Sequence, residues 1–442
     1  MADTLLDELF DWLRIPSIST GGGDPADLTR AAEWAATKVR AAGGTADLVT
    51  TREGGNPLVI GELKASTTDD APTVLIYGHY DVQGAEPLDL WTSPPFEPEI
   101  RDERIYARGA ADDKGNFLPL LRAACDLAQA GELPVNVRVA IEGEEEAGGQ
   151  SIAAWLAADE RGADAAIVYD SGMASADLPA ITIGLRGVVL TTFEVRAATR
   201  DLHSGMYGGS ALNSLHALHR ALAQVIPDDN GRVRDELRVG IAPVADAERA
   251  SWDGLPNGDD ALASAGARPA YPGAGAEYIE RNGSETAVDV DQIVAGDART
   301  VIPAVTRATV SIRLAPGQDP EAMGAELLRL LRAGLPEGAE LEVISSHSAQ
   351  PALFPVDTPA IALAAAAIER ACGVKPAFVR SGGSIPIVAD FAAKGIPAIV
   401  TGFTLPDDPI HAPNESIWRR GLDLGYQSGR ELLTGLAALR DQ

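Results

Sequence analysis

The sequence contains only two cysteines and no long apolar run. These features argue against a disulfide-rich protein and against a membrane-spanning one. Among its 442 residues only Cys125 and Cys372 are cysteines, and both lie in apolar patterns typical of helices. Two buried, reduced thiols fit this pattern better than a disulfide framework or a zinc knuckle. No run of about 18 apolar residues is present, so we expect no transmembrane helix. The acidic, amphipathic N-terminal segment lacks the features of a secretory signal, and we therefore expect a cytoplasmic protein.

Basic residues are also scarce relative to acidic ones. The chain has 36 lysines and arginines against 64 aspartates and glutamates, a formal net charge of -28. Because phosphate attraction dominates binding to nucleic acids and anionic membranes, this charge argues against both as partners. The simplest interpretation of the acidic surface is solubility.

The chain is too long for one ordinary core and should divide into two or three domains. Apolar runs typical of buried strands alternate with helical patterns, which indicates an α/β domain with a mostly parallel central sheet flanked by helices. The predicted strands are 74–77, 135–141, 165–169 and 398–401, and a helix is predicted over 117–128.

From residue 186 the pattern changes to half-buried strands and amphipathic helices, which predicts an inserted α+β unit. Its predicted strands are 188–197, 305–314 and 340–345, and its helices are 211–225 and 320–333. We therefore assign residues 1–185 and 351–442 to the first domain and 186–350 to the insertion. The stretch 226–295 receives no predicted structure.

Acidic residues and histidines follow several of these apolar runs, where parallel sheets bind ligands. The predicted metal ligands are His79, Asp112, Glu146, Asp170 and His411. Mixed imidazole and carboxylate donors suit zinc, manganese or cobalt better than calcium. Two divalent cations would be neutralised by three carboxylates and one bridging hydroxide. We therefore predict two divalent metal ions per subunit, with Zn2+ favoured and Mn2+ or Co2+ as alternatives.

The glutamate run 144–146 supplies the predicted proton carrier. A metal lowers the pKa of water from 15.7 to about 7, and a carboxylate that is not a ligand must then move the proton. Glu145 is our candidate for this general base and acid, although spacing alone does not say which glutamate binds metal. Glu144 is predicted to be a solvated loop charge. Asp81, two residues after His79, is placed to hold the imidazole in its ligating tautomer.

These segments resemble a dinuclear metallopeptidase family. It contains carnosine-type dipeptidases, aminoacylases, acetylornithine deacetylase and succinyl-diaminopimelate desuccinylase. The matching segments are GHYDVQ, ARGAADDKG, EGEEEAGG, DLHSGMYGG and HAPNE, so the likeness covers nearly the whole chain. The resemblance implies a zinc-exopeptidase-like catalytic domain with an inserted lid/dimerisation domain, and a homodimer built through the lid.

Residue by residue, the resemblance also implies roles. Asp112 would bridge the two metals, with His79 and Asp170 on one metal and Glu146 and His411 on the other. Glu145 would be the catalytic glutamate and Asp81 would support His79. His203 resembles a lid histidine that polarises the substrate carbonyl in a partner subunit. The alternative for His203 is a loop histidine that caps the following helix.

Three further segments, RSGGSIPI, TVIPA and SIRL, resemble the dipeptidase branch. Residues implied to bind the substrate's C-terminal carboxylate are Arg313, Ser384, Thr300 and His347. The planar fork of an arginine can pair both carboxylate oxygens. The alternative is that Arg313 closes a salt bridge on a lid strand, and the sequence around His347 departs from the dipeptidase pattern.

We therefore predict hydrolysis of the amide bond of dipeptides or short peptides by a metal-bridging hydroxide with a glutamate general base. The closest alternative is an N-acyl-amino-acid deacylase with the same machinery, so the expected partner is a small peptide or an N-acyl amino acid. A two-metal phosphoesterase is disfavoured because no phosphate-cradling loop or basic cluster accompanies the ligands. A non-enzymatic interaction protein is disfavoured because Asp81, Glu145 and every expected ligand are intact.

Overall fold

A computed structural model describes residues 2–68, 70–383 and 385–441. Its α-helices are α1 (Ala2–Leu13), α2 (Pro25–Ala41), α3 (Lys114–Ala130), α4 (Gln150–Ala158), α5 (Ser204–Tyr207), α6 (Ser214–Leu222), α7 (Asp246–Ala250), α8 (Gly258–Ser264), α9 (Tyr278–Ser284), α10 (Pro320–Ala333), α11 (Pro359–Cys372), α12 (Pro386–Ala393) and α13 (Arg419–Gly435).

The first nine β-strands are β1 (Thr45–Val49), β2 (Leu58–Leu63), β3 (Thr73–His79), β4 (Glu99–Arg101), β5 (Arg104–Tyr106), β6 (Asn136–Glu142), β7 (Ala165–Tyr169), β8 (Ala180–Leu185) and β9 (Gly187–Arg196). The remaining strands are β10 (Leu202–His203), β11 (Ala287–Ala295), β12 (Val301–Ile302), β13 (Val305–Leu314), β14 (Glu340–Ala349), β15 (Ala352–Leu353), β16 (Ala377–Ser381), β17 (Ala398–Thr401) and β18 (Ser416–Trp418).

The larger sheet has nine strands within the described residues, in the order β1-β2-β6-β3-β7-β17-β8-β15, with β16 beside β8. The central strands β6, β3, β7 and β17 pair in parallel, whereas antiparallel pairs lie towards both edges. Every residue of β7 is buried, and so is nearly all of β3. Parallel strands covered on both faces have this continuous apolar character. The predicted α/β arrangement with a mostly parallel centre is therefore confirmed.

Close packing of α3 on β3 brings two predicted ligands towards one end of this sheet. A Cβ atom on Gly78 would lie 2.4 Å from the Phe117 ring, so only glycine permits the approach. Gly78 precedes His79 at the end of β3, and α3 begins just after Asp112. The strand end and the helix start are thereby held next to each other.

The smaller sheet has the order β11-β13-β9-β14 and is antiparallel throughout. One face packs against α6 and α10 in a separate core that includes Phe193, Leu218 and Leu327. Buried and less buried residues alternate along β13, so every second side chain points to the opposite, more open face. We call this sheet and its two helices the lid. Its boundaries at residues 186 and 350 stay predictions.

The stretch 226–295 contains α7, α8 and α9 and ends in β11. Helices α7 and α9 contact β16 of the larger sheet. Glu248 of α7 forms a buried ion pair with Arg380 at 2.8 Å, and Trp252 donates a hydrogen bond to the carbonyl of Phe378 at 2.9 Å. Helices this short depend on tertiary packing, which explains why the sequence pattern did not predict them.

No helix among the described residues combines the length and apolar character needed to cross a membrane. Cys125 and Cys372 are both free, the first buried and the second partly buried. Burial raises the pKa of Cys125 to about 12, so this side chain stays a thiol at neutral pH. The predicted burial thus holds for Cys125 and only in part for Cys372.

Candidate metal centre and active site

All five predicted metal ligands meet at one end of the larger sheet. His79 is the last residue of β3, and Asp170 directly follows β7. Glu146 lies in a single 3₁₀ turn, Glu145–Ala147, that follows β6, and His411 lies in the loop between β17 and β18. Because β3, β6 and β7 are parallel neighbours, their carboxyl ends lie side by side.

Asp112 is shared by two groups of side chains, which we call the inner and outer triads. The inner triad is His79, Asp112 and Asp170, and the outer triad is Asp112, Glu146 and His411. Within each, the potential ligand atoms lie within 4.8 Å of one another. Asp112 Oδ1 is 2.9 Å from His79 Nε2, and Asp112 Oδ2 is 2.9 Å from His411 Nε2. Each triad therefore contains a different oxygen of the Asp112 carboxylate. A residue that bridges two cations requires this arrangement.

Burial and crowding concentrate negative charge at this site. Burial raises the pKa of Asp170 well above its ordinary value, and the charge of Asp112 adds to the effect. The pKa of Glu145 is also raised by burial, with contributions from Asp112 and Glu146. At Asp112 itself, hydrogen bonds from His411 and His79 outweigh burial and lower the pKa. Positive charge at the site would relieve this repulsion.

The donors fit a pair of divalent cations. Each triad offers one imidazole and two carboxylates, a mixture preferred by zinc, manganese or cobalt. Glu146 Oε1 is buried and has no hydrogen-bond partner among the described residues, and a cation would satisfy it. His79 Nδ1 lies 3.0 Å from the main-chain oxygen of Asp81, which leaves Nε2 for the triad.

The Asp81 side chain organises the turn that contains the two glutamates. Its carboxylate accepts hydrogen bonds from the backbone N–H of Glu145 at 3.3 Å and of Glu146 at 3.2 Å. The Ser19 hydroxyl donates a third bond at 2.6 Å. The same carboxylate is 3.4 Å from His79 Nδ1, farther than the main-chain oxygen of Asp81. Support of His79 thus comes first from the main chain of Asp81, while its side chain positions Glu145.

Glu144 is not the solvated loop charge that the sequence analysis predicted. Its side chain is only 5% exposed and pairs with Arg52 at 2.9 Å. It also accepts hydrogen bonds from the backbone N–H of Asn56 and Ser151, and these bonds outweigh burial and lower its pKa. That prediction was wrong because two of the partners, Arg52 and Asn56, are distant in sequence. The Glu145 carboxylate, by contrast, has no hydrogen bond or ion pair among the described residues.

Glu415 is a buried residue to which the sequence analysis gave no role, although it ends the HAPNE segment. Its carboxylate accepts hydrogen bonds from the backbone N–H of Ala111 at 2.8 Å and of Asp112 at 3.0 Å. It also pairs with Arg108 at 2.6 Å, and both side chains are 1% exposed. Glu415 therefore joins the loop of Asp112 to the segment that contains His411.

His203 and Thr300 lie together in the inserted region. β10 ends at His203 and pairs with β12, and Ser204 donates to the carbonyl of Thr300. His203 Nδ1 accepts a hydrogen bond from the backbone N–H of Gly205 at 3.0 Å, which is the helix-capping arrangement weighed from the sequence. The His203 side chain is exposed. In the described part of the chain, neither His203 nor Thr300 is hydrogen-bonded to a triad residue.

Arg313 and His347 point to the same open face of the lid sheet. Arg313 is the partner of Val188 and His347 is the partner of Leu190, on opposite sides of β9. Arg313 forms no ion pair with any described residue, so the salt-bridge alternative gains no support. Ser384, the fourth predicted carboxylate ligand, lies outside the described residues.

A cavity of about 500 Å³ borders Asp112 and Asp170. Apolar residues that line it are Met173, Leu185, Val379, Ile385, Leu405 and Ile410. Further polar lining comes from Asn116, Ser171, Thr182, Ser381, Thr404 and Asp408, and no lysine or arginine is among the described lining residues. The volume lies within the usual range for small-ligand pockets.

The sequence matches peptidase family M20/M25/M40 over residues 75–435. It is 28% identical over 374 residues to a cysteinylglycine-S-conjugate dipeptidase from Corynebacterium striatum, covering 79% of this chain and 77% of the relative. It is also 28% identical over 383 residues to a Beta-Ala-His dipeptidase from Rattus norvegicus, covering 82% and 76% of the two chains.

The fold is similar to that of an M20 family metallo-carboxypeptidase from Sulfolobus solfataricus. The two structures have a TM-score of 0.83 and 25% sequence identity, and the match covers 98% of this chain and 99% of the other.

Proposed function

The chain belongs to peptidase family M20/M25/M40, and on that premise we propose that it is a metal-dependent dipeptidase. The observation that supports this most is the pair of triads that share Asp112, with the unpaired Glu145 carboxylate beside them. The two sequence relatives described above, from Corynebacterium striatum and Rattus norvegicus, are named as dipeptidases, which favours this activity over the deacylase alternative.

Each group at the site has its own role in the proposed reaction. The two triads would hold two divalent cations, which would supply water of lowered pKa and polarise the scissile carbonyl. Glu145 takes a proton from the attacking water and passes it to the leaving amine. Asp81 holds the backbone of Glu145 in place. The cavity beside Asp170, which has both apolar and polar lining, receives an uncharged part of the substrate.

Recognition of the substrate's free carboxylate is assigned to Arg313, Ser384, Thr300 and His347. The common orientation of Arg313 and His347 on the open lid face supports this assignment for those two. Thr300 lies beside His203, whose imidazole we propose to act on the substrate carbonyl.

We propose that His203 acts in the active site of a second subunit, in a homodimer built through the lid. Apolar side chains next to His203 are strongly exposed, with Met206 at 74% and Tyr207 at 40%. Mixing inactive His203→Ala and Glu145→Gln proteins, after subunit exchange, should restore one working site per mixed dimer. Absence of restored activity in dimers verified by light scattering would contradict the role in trans.

Zinc as the native metal and a cytoplasmic location are also proposals. The imidazole and carboxylate donors support zinc, and the two free cysteines are consistent with a reducing compartment. Elemental analysis of freshly purified protein tests the first, and fractionation of the source cells tests the second.

A substrate panel tests the proposed activity. Cys-Gly, β-Ala-His and Ala-Ala should be hydrolysed, whereas N-acetyl and N-succinyl amino acids should be poor substrates. Glu145→Gln is the inactive control, which excludes a contaminating peptidase. Faster turnover of the N-acyl amino acids would favour the deacylase, and no turnover of any dipeptide by metal-loaded protein would contradict the proposal.

A further inference from the structure

Arg186 lies at the junction of the two sheets, between β8 of the larger sheet and β9 of the lid. Its backbone N–H donates to the carbonyl of Ser381 at 3.1 Å, and its Nε donates to the carbonyl of Gly382 at 3.3 Å. Ser381 and Gly383 line the cavity beside Asp170. Arg186 is therefore hydrogen-bonded to the loop that forms one wall of the candidate substrate cavity.

The register of the lid sheet directs Arg186 and Arg313 to the same face. Val188 is the direct partner of Arg313, and Arg186 precedes Val188 by two residues. Side chains two residues apart along an extended chain point the same way, and diagonal cross-strand neighbours are within reach of long side chains. Burial and the neighbouring charge of Arg313 lower the pKa of Arg186 to about 10, in agreement with this proximity.

The two guanidinium groups lack acidic partners among the described residues. Neither Arg186 nor Arg313 forms an ion pair, whereas nearby Arg380 pairs with Glu248 in a buried bridge. Asp289 is close enough to influence Arg186, but it is exposed and makes no ion pair with it. Holding two like charges together, both of them partly buried, costs free energy that a bound anion would offset.

We propose that Arg186 and Arg313 form a two-arginine site for the carboxylate at the C-terminal end of the substrate. This inference rests on the proposed dipeptidase function and adds Arg186, to which the sequence analysis gave no role. Each guanidinium offers paired N–H donors that match a carboxylate. Arg186 donates hydrogen bonds to the main-chain carbonyls of Ser381 and Gly382, and these bonds fix its guanidinium relative to the cavity. A carboxylate bound to Arg186 is thereby fixed as well, so Arg186 determines which substrates are positioned at the metal centre.

The test compares Ala-Ala with Ala-Ala-amide, which lacks the negative charge, in Arg186→Met, Arg186→Lys and the wild type. Arg186→Met should raise KM for Ala-Ala about 10- to 100-fold, with kcat changed less than about threefold, because a charge-assisted bond is lost. Hydrolysis of the amide should be nearly unchanged. Arg186→Lys, which keeps the charge without the planar fork, should show a smaller rise in KM.

Arg268→Met is the matched control, because Arg268 lines a neighbouring cavity with Arg186 but is exposed and unpaired among the described residues. It should leave unchanged the preference for Ala-Ala over Ala-Ala-amide, measured as the ratio of their kcat/KM values. An unchanged preference in folded Arg186→Met, or in Arg186→Lys if the methionine variant does not fold, would overturn the two-arginine site. A metal-loaded wild type inactive on both substrates would instead overturn the proposed function and, with it, this inference.

Discussion

The inner and outer triads contain the same kinds of donor but differ in exposure. His79 of the inner triad is completely buried, whereas the His411 side chain of the outer triad is 49% exposed. Asp112, which both share, is 14% exposed. We infer that a cation in the inner triad would be shielded from solvent, whereas one in the outer triad would be open to the substrate on one side.

This difference follows from the elements that contain the ligands. His79 ends a central, buried strand, whereas His411 lies in a loop and has a left-handed backbone with φ of 59°. Asn414 in the same loop also has positive φ, and its side chain bonds to the backbone of Thr92 and Leu90. Such backbone conformations are uncommon outside glycine and often occur at functional sites.

The largest expected effect comes from Asp112→Asn, which removes the shared ligand and so abolishes the distinction between the triads. Metal content should fall from two ions per subunit to below one. Turnover of Ala-Ala should fall by at least about 10⁴-fold, because water would regain a pKa near 15.7. Elemental analysis and steady-state kinetics measure both, and Asp89→Asn, on an exposed turn, is the control. Two retained ions with normal turnover would contradict the shared site.

Glu145→Gln and Glu146→Gln separate proton transfer from metal binding in adjacent residues. Glu145→Gln should lower kcat by about 10²- to 10⁴-fold and retain two ions, because a positioned acid–base group contributes that much. Glu146→Gln should lose the outer ion and leave the inner one. Near-normal kcat in Glu145→Gln would refute its role as the proton carrier.

His79→Ala and His411→Ala compare the stability of the two triads directly. In metal-free protein, His79→Ala should lower the free energy of unfolding by about 2–4 kcal/mol, because it leaves a buried cavity and removes the hydrogen bond to Asp112. His411→Ala should cost within about 1 kcal/mol, as expected for a half-exposed side chain. Urea unfolding measures both values. Equal losses would show that burial does not distinguish the triads.

Glu142 lies next to the inner triad, as the cross-strand partner of His79, and accepts a hydrogen bond from Tyr77. It should have a smaller, pH-dependent effect on stability. Burial raises its pKa to about 8 from an ordinary value of 4.5. The stability that this group contributes is therefore complete at low pH and is lost as pH rises towards 8. Metal-free protein should weaken over this range by at most about 1.4 kcal/mol per pH unit.

Glu142→Gln should flatten that decline, because the amide stays neutral and still accepts the Tyr77 bond. Urea unfolding at about pH 5 and pH 8 makes the measurement. Glu160→Gln, in an exposed loop, should retain the wild-type slope. Equal slopes in wild type and Glu142→Gln would show that Glu142 does not set the pH dependence.

Several elements were predictable because local signals agree with the fold. β7, β13, β17 and α10 have the predicted bounds. Asp319 caps α10 through its side chain and Pro320 opens the helix, so sequence alone marks its start. His79 and Asp170 were likewise predictable, since strand ends of a parallel sheet meet at one edge.

Other features depend on contacts between distant residues, which no local pattern reports. Glu144 was misassigned because its partners Arg52 and Asn56 lie about 90 residues earlier. Glu415 contacts Asp112 across about 300 residues, so its role appeared only in the fold. α7 is held by the ion pair from Glu248 to Arg380, again far along the chain.

Anomalous diffraction from crystals of the zinc-loaded protein tests the central claim most directly. We predict two peaks per subunit, one within the inner triad and one within the outer triad, on either side of Asp112. A single peak, or peaks away from His79, Asp170, Glu146 and His411, would contradict a pair of cations held by one shared carboxylate.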